Sequence, residues 1–391
     1  MDPRLSFVIP CLNEKQTIKK VIDDCHEGGS KCGCSYEIIV ADNGSTDGSQ
    51  ELAQNAGASV VAIHQRGYGA ALQGGMRAAK GEFIIMGDAD QTYNFRQADE
   101  FINKLNSGFK LVMGNRFKGN IEDGAMPVLH YYLGNPVLSF LGRIFFGIKI
   151  GDFHCGLRAF SKNDIDSLEL HCNGMEFASE MVIKASLLEL PMTEIPTSLK
   201  KDPPGRKPHL KTWRDGWRHL KFMLSFAPKF NLLPIAFLFF AIAATLFALY
   251  QLQVAPFTGP NTLIFSASST VLSANVISDY VLTQEMIYHK LDLYNTKLGS
   301  QRSFIRTILG LNKGTDRMFK YSAFMLGTSA ASLAGLLNQA AKGTLASPEA
   351  QTFGFVGCIM LLLSVTFYQT ASKLSSFRSL NGTNCKQRLK H

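Results

Sequence analysis

Charge is scarce in this chain: Asp, Glu, Lys and Arg make up 18% of its 391 residues, against the ~25% usual for soluble proteins. That shortage excludes a disordered chain solvated by its own charge, and no glycine period points to collagen. Cysteine is sparse too, and eight residues spread over this length are too dilute for a disulfide scaffold; reduced thiols are expected. The opening segment MDPRLSFVIP lacks the apolar core of a signal peptide. A single ordinary domain is excluded by length, since domains run about 100–200 residues. What is abundant is phenylalanine, 28 residues, with a mean hydropathy of +0.03, and both lean towards a membrane. Lys and Arg number 40 against 31 Asp and Glu. Net charge alone does not separate nucleic acid from anionic lipid as a partner, so the placement of charge must decide.

Up to about Phe230, short apolar runs rich in β-branched residues alternate with helical patterns, the signature of parallel βαβ units. The runs cover 6–10, 36–41, 59–63, 82–86 and 110–113, which predicts five parallel strands. After Pro228 come four long stretches, 231–254, 262–282, 321–341 and 352–372, in which Asp279 is the one charged residue. Each is near the ~20 residues that cross a bilayer as a helix. The resulting division is an α/β half over 1–208, an amphipathic segment over 209–228, a four-span helical region over 229–372 enclosing a basic loop at 283–320, and a basic tail over 373–391.

Lys290, Lys297, Arg302, Arg306, Lys313, Arg317 and Lys320 fill the middle connection, whereas 251–261 carries no charge. By the positive-inside rule the middle loop, both termini and the α/β half are expected on the cytosolic side. Basic residues clustered beside apolar spans are headgroup charge, which argues against nucleic acid as a partner. Trp213 and Trp217 interleave with Lys211, Arg214, Arg218 and Lys221, so 209–226 reads as an interfacial helix, with 304–311 a weaker second. Gly327, Ala331 and Gly335 at four-residue spacing suit bundle packing or a homo-oligomer through the spans.

Polar residues gather where the apolar runs end, at the carboxyl edge that binds ligands in open α/β sheets. The first run leads into Pro10-Cys11-Leu12-Asn13-Glu14. The second leads into Asp42-Asn43-Gly44-Ser45-Thr46-Asp47, where Asp42 can accept from a base or ribose and Asp47 suits a cap on the next helix. The fourth leads into Asp88-Ala89-Asp90, whose alternate carboxylates suit a divalent cation held against a diphosphate, although such triplets also occur as solvated turns. Arg143, Arg158, Arg206 and Lys211 are candidate phosphate clamps. Glu176 and Glu180 share one helical face. The Gly67-Tyr68-Gly69 stretch is an incomplete dinucleotide fingerprint and follows the third run instead of the first, so no dinucleotide site is expected. His130, His154 and the cysteines lack the paired spacing of a zinc site.

In order along the chain, V-I-P-x-L-N-E, D-N-G-S-T-D-G-S and G-D-A-D resemble the nucleotide-sugar half of the inverting glycosyltransferase family two, with its GT-A fold. Gly114-Asn115-Arg116-Phe117, Leu133-Gly134-Asn135-Pro136, Asp152-Phe153-His154-Cys155-Gly156-Leu157-Arg158 and Trp213-Arg214-Asp215-Gly216-Trp217-Arg218 extend the resemblance to the polyprenol-phosphate hexosyltransferase branch, over roughly 5–228. The resemblance implies transfer of one hexose from a nucleotide sugar of the UDP-glucose or GDP-mannose type to a polyprenyl phosphate. It implies that Pro10, Asn13, Glu14 and Asp42 hold the nucleotide and that Asp88 and Asp90 bind Mg²⁺ or Mn²⁺. It places Arg116 near the acceptor phosphate, with Arg158 catalytic and Asp152 in a supporting role. Two positions depart from the branch: Gln91 stands where an acid often follows D-A-D, and Tyr131 where an arginine is common. A processive polysaccharide synthase shares the first half, but no Q-x-x-R-W motif is present. The alternative from another class is a lipid-linked sugar translocase or a membrane scaffold that binds nucleotide sugar without turning it over.

Overall fold

The computed structural model describes residues 2–206, 212–291, 316–342 and 348–388. They form two compact units, Met1–Phe226 and Ala227–His391.

The first unit is a seven-stranded sheet in the order β3-β2-β1-β4-β6-β5-β7. Its strands are β1 (Leu5–Cys11), β2 (Tyr36–Asp42), β3 (Ser59–Ala62), β4 (Phe83–Met86), β5 (Leu111–Asn115), β6 (Arg158–Ser161) and β7 (Met192–Pro196). Around it lie α1 (Ile18–Lys31), α2 (Ser49–Asn55), α3 (Tyr68–Ala78), α4 (Ala98–Asn106), α5 (Asn135–Phe146), α6 (Lys162–Asp166), α7 (Phe177–Leu187) and α8 (Thr212–Phe226).

The five expected strands are all present, but the purely parallel sheet needs correcting. β6 runs antiparallel to both β4 and β5 and sits between them. It is only four residues long and opens with an arginine, so it shows none of the apolar run that marks β1 or β4. β7 pairs parallel with β5 at the sheet edge, where Met192, Thr193 and Glu194 are only partly buried. Because β6 is antiparallel, its first residue Arg158 is in register with Met86, the last residue of β4. The loop entering β6 therefore falls at the same carboxyl edge as Asp88 and Asp90.

The central strand β1 is buried along both faces, with Phe7, Val8 and Ile9 fully covered. One face receives Ile18, Val21, Ile22 and Cys25 of α1, spaced to form a single helical stripe. Gly28 lets α1 approach the turn at Phe95, since a Cβ there would lie 2.2 Å from the Phe95 carbonyl oxygen. Gly75 does the same for α3 against Val8.

The amphipathic segment is largely α8, and it belongs to the first unit: Asp215, His219 and Met223, each four apart, face inward. Trp213 and Trp217 remain 78% and 62% exposed. Residues 128–144 carry a second apolar face, with Val128 and Tyr132 each 74% exposed and Phe140 52%.

The second unit has α9 (Pro228–Gln251), α10 (Pro260–Lys290), α11 (Asp316–Ala341) and α12 (Pro348–Arg388), one over each expected span. Among the described residues, only Pro228–Gln251 and Gly354–Lys373 are long and apolar enough to cross a membrane by length and composition, with mean hydropathies of 2.5 and 1.6. α10 and α11 are diluted by serine, threonine and asparagine, several of which bond across helices: Ser273 to the Ala236 carbonyl, Thr366 to Asn275, Ser322 to Ser364. Four spans therefore go beyond what these helices establish. The 304–311 segment, Lys211 and most of the basic loop lie outside the described residues.

Replacing Gly28 by alanine forces α1 off the Phe95 backbone and is expected to cost about 1–3 kcal/mol. The thermal midpoint of the purified chain should fall accordingly; an unchanged midpoint would contradict the packing described.

Candidate active site

The loops after β1 and β2 are laced together by short polar contacts. The Asn13 amide N–H donates to Ser45 Oγ at 2.9 Å, and Asn13 Oδ1 accepts from the Thr46 N–H at 2.8 Å. Asn13 reaches this geometry with φ of 58°, a left-handed conformation that asparagine tolerates better than most residues. The Glu14 N–H donates to Ser49 Oγ and the Lys15 N–H to Asp47 Oδ2, both at 2.9 Å. Asp47 also accepts from the Ser49 N–H at 3.0 Å; burial alone would raise its pKa, but these hydrogen bonds outweigh that and hold it below the ordinary aspartate value. Asp42 is buried and accepts from the Gly44 and Ser45 N–H groups and from Gln50 Nε2. Pro10 sits one residue before the end of β1, opposite Ala41.

Arg206 joins this shelf to the acidic triplet. Its guanidinium grips both oxygens of Glu14, the shortest contact being 2.7 Å, and reaches Asp202 at 3.0 Å and Asp90 Oδ2 at 3.5 Å. Asp90 Oδ1 is held by the Thr92 N–H and hydroxyl at 3.0 and 2.6 Å. The tight turn places Gln91 at φ 66°, on a cleft of about 620 Å³ lined also by Glu122, Lys200, Asp202 and Pro203.

Asp88 differs from Asp42, Asp47 and Asp90 at this edge. Its Oδ1 is sealed from solvent with no hydrogen-bond partner among the described residues. Burial, reinforced by the neighbouring Asp90 charge, drives its pKa upward; the Tyr68 hydroxyl, Arg206 and Arg116 pull the other way without prevailing. Two adjacent oxygen-only donors, one of them orphaned, suit a hard divalent cation. No cluster of three His, Cys, Asp or Glu lies together among the described residues, so such an ion would complete its shell from diphosphate oxygens and water.

The sequence candidates on the far side of the triplet behave differently from one another. Arg116 is nearly buried, with its N–H, Nε and Nη2 all on the Asp152 carboxylate at 3.1, 2.7 and 2.8 Å. Arg158, expected as a phosphate clamp, has no exposure at all, and its donors are taken by the carbonyls of Cys155, Ala178 and Phe153. It braces the fold instead. Arg143 is exposed on α5. Glu180 is buried, pairs with Lys184 at 2.7 Å and accepts from the His171 and Cys172 N–H groups, a structural role and not an open helical face. Glu176 stands at the start of α7 with Oε2 buried.

Sequence reasoning missed Tyr68, whose hydroxyl donates to Asp88, and Asp202, the i,i+4 partner of Arg206. The glycine-flanked tyrosine was visible as Gly67-Tyr68-Gly69, and the second as the spacing of Asp202 and Arg206.

A mixed α/β sheet with acids gathered at its carboxyl edge is the arrangement of a nucleotide-sugar transferase domain. The family model for glycosyl transferase family 2 matches residues 6–168. The hexosyltransferase Agl6 of low-salt glycan biosynthesis in Haloferax volcanii is 37% identical over 227 residues, 58% of this chain and 54% of that protein. Glycosyltransferase AglJ of the same organism is 31% identical over 211 residues, 54% of this chain and 67% of its own length. The undecaprenyl-phosphate 4-deoxy-4-formamido-L-arabinose transferase of Salmonella paratyphi B is 28% identical over 200 residues, 49% of this chain and 58% of that one. The match to Agl6 spans about half of that protein's length. Among solved structures, glucosyl-3-phosphoglycerate synthase from Mycobacterium tuberculosis in complex with Mn²⁺, UDP and glucosyl-3-phosphoglycerate overlays with a TM-score of 0.45 and 21% identity, over 57% of this chain and 80% of that one. The chain belongs to glycosyltransferase family 2, and its first unit is a GT-A-like domain.

Arg116→Met alone strands the buried Asp152 charge and should destabilise the chain by about 3–5 kcal/mol, whereas Arg116→Met with Asp152→Leu should recover most of that loss. Thermal unfolding of the two variants checks this; equal destabilisation would show that the pair is not the buried unit described.

Proposed function

We propose that this protein transfers a single hexose from a nucleoside diphosphate sugar to a polyprenyl phosphate, with inversion, at the cytosolic face of a membrane. The observation that carries the reading is the buried, unpartnered Oδ1 of Asp88 beside Asp90, at the sheet edge where the β1 and β2 loops are bonded into a shelf. Asp42, Asn13, Glu14 and Pro10 would cradle the nucleotide. Asp88 and Asp90 would hold Mg²⁺ or Mn²⁺, which when bound supplies charge screening for the departing diphosphate. Arg206, 3.5 Å from Asp90 Oδ2, would be placed to turn towards the donor phosphates if these acids held a cation.

The acceptor is already an anion at neutral pH and needs no strong general base. Its phosphate oxygen attacks the anomeric carbon, the bond from that carbon to the diphosphate oxygen breaks, and the electron pair leaves with the nucleoside diphosphate. Arg116, aimed by Asp152, would offset the acceptor charge at the point of attack. The relatives support a lipid-linked acceptor by name, and the exposed Trp213, Trp217, Tyr132 and Phe140 support contact with a bilayer surface. The division into a catalytic half, four spans, a basic loop and a tail with cytosolic termini is part of this proposal, as is association of copies through the spans.

Detergent-purified protein, Mn²⁺ and a polyprenyl phosphate, incubated separately with labelled UDP-glucose and GDP-mannose, should move label into the organic extract with one donor. The Asp90→Asn variant should lose at least 100-fold of that transfer, on the order of one lost charge-stabilising contact. Donor binding without nucleotide release by the unaltered protein would favour the translocase or scaffold reading.

A further inference from the structure

Away from the acidic edge, two imidazoles meet under α8. His219 Nδ1 lies 2.8 Å from Ser179 Oγ on α7, and the same hydroxyl lies 3.3 Å from His154 Nε2. The two rings stand edge to face with centroids 4.6 Å apart. His219 is 5% exposed and belongs to the inward stripe of α8 with Asp215 and Met223. His154 lies in the loop before β6, two residues after Asp152, which holds Arg116, and two before Gly156, where a Cβ would come within 2.8 Å of Asp88 Oδ2. One serine hydroxyl therefore links the helix leading into the apolar second unit to the loop that orients Arg116 and closes behind Asp88.

We infer that His219 is a positioning residue, acting through Ser179 and His154 to fix the 152–158 loop, and with it Arg116, according to how α8 is seated. This rests on the transferase reading for its catalytic consequence, but the seating of α8 does not. Ser179 has a single hydroxyl hydrogen, so one ring accepts it while the other must bring its own N–H; both rings fit this bridge as neutral imidazoles. Two positive rings 4.6 Å apart would repel each other. The charged groups facing the pair are Asp215 on α8, Arg158 on β6 and Arg116 after β5, while α7 contributes only the Ser179 hydroxyl. Burial lowers the His219 pKa from 6.5 to about 4, with Asp215 opposing and Arg158 adding to the drop. Burial, then His219, Arg158 and Arg116, push His154 well below its ordinary value.

The sign follows directly. A base whose pKa is depressed when docked favours the docked state fully above pH 6.5 and loses that advantage as the pH falls towards about 4. For one histidine the loss is about tenfold in the docking equilibrium per pH unit.

Trp213 and Trp217 are the only two tryptophans in the chain and both sit on α8, so tryptophan anisotropy of the full-length protein in detergent reports on that helix. The expected result is a fall in anisotropy between pH 6.5 and 4.5, moved at least one unit acidward in His219→Gln, whose amide can still bond Ser179 without titrating. Ser179→Ala should show lowered anisotropy already at pH 7.5. In transfer assays kcat should drop, by at most about tenfold, from pH 7.5 to 5.5 in the unaltered protein and by clearly less in His219→Gln, with the donor KM unchanged. A flat anisotropy profile, or the same transition in His219→Gln, would overturn the inference. An anisotropy transition with no transfer at any pH would instead count against the proposed function.

Discussion

Arg158 has no contact with solvent, and three backbone carbonyls from two segments of chain satisfy its guanidinium. A buried arginine is costly unless its donors are met, and meeting them dictates much of the site. The carbonyls of Phe153 and Cys155 must curl inward, which turns Asp152 towards Arg116 and lays Gly156 against Asp88 and Tyr93. The carbonyl of Ala178 fixes the first turn of α7, next to the Ser179 that bonds both histidines. One cation thus organises the wall opposite the β1 and β2 loops.

The two walls differ in how they are made. The shelf formed by the β1 and β2 loops is built from side chains bonding backbone N–H groups, which gives a rigid concave surface at little electrostatic cost. The opposite wall is built from buried charges in pairs, Arg116 with Asp152 and Glu180 with Lys184. Between them stands the acidic triplet, with Arg206 bridging Glu14 and Asp90 at its edge.

The edge residues were legible from sequence because Pro10 closes an apolar run and Asn13, Glu14, Asp42, Asp88 and Asp90 follow such runs, and a run of β-branched residues announces a strand end. β6 was not, because four residues led by a buried arginine carry no periodic signal, and without β6 the inward turn of the 152–158 loop has no visible cause. Arg158 was misread for the same reason: an arginine in a polar motif reads as a phosphate ligand until the carbonyls around it are known. The helices of the second unit were found by length, while the polar residues in α10 and α11 keep two of them below the hydropathy of a span judged on composition alone. Tyr68 lay in plain view, but its partnership with Asp88 joins β4 to α3 and depends on tertiary packing.

Calorimetric titration of the purified full-length protein with UDP and GDP, in Mn²⁺ and in EDTA, most directly tests the metal-dependent nucleotide site proposed at Asp88 and Asp90. The expected result is one-site binding of one nucleoside diphosphate in Mn²⁺ and loss of that binding in EDTA. Equal affinity in both conditions, or no binding of either nucleotide, would contradict it.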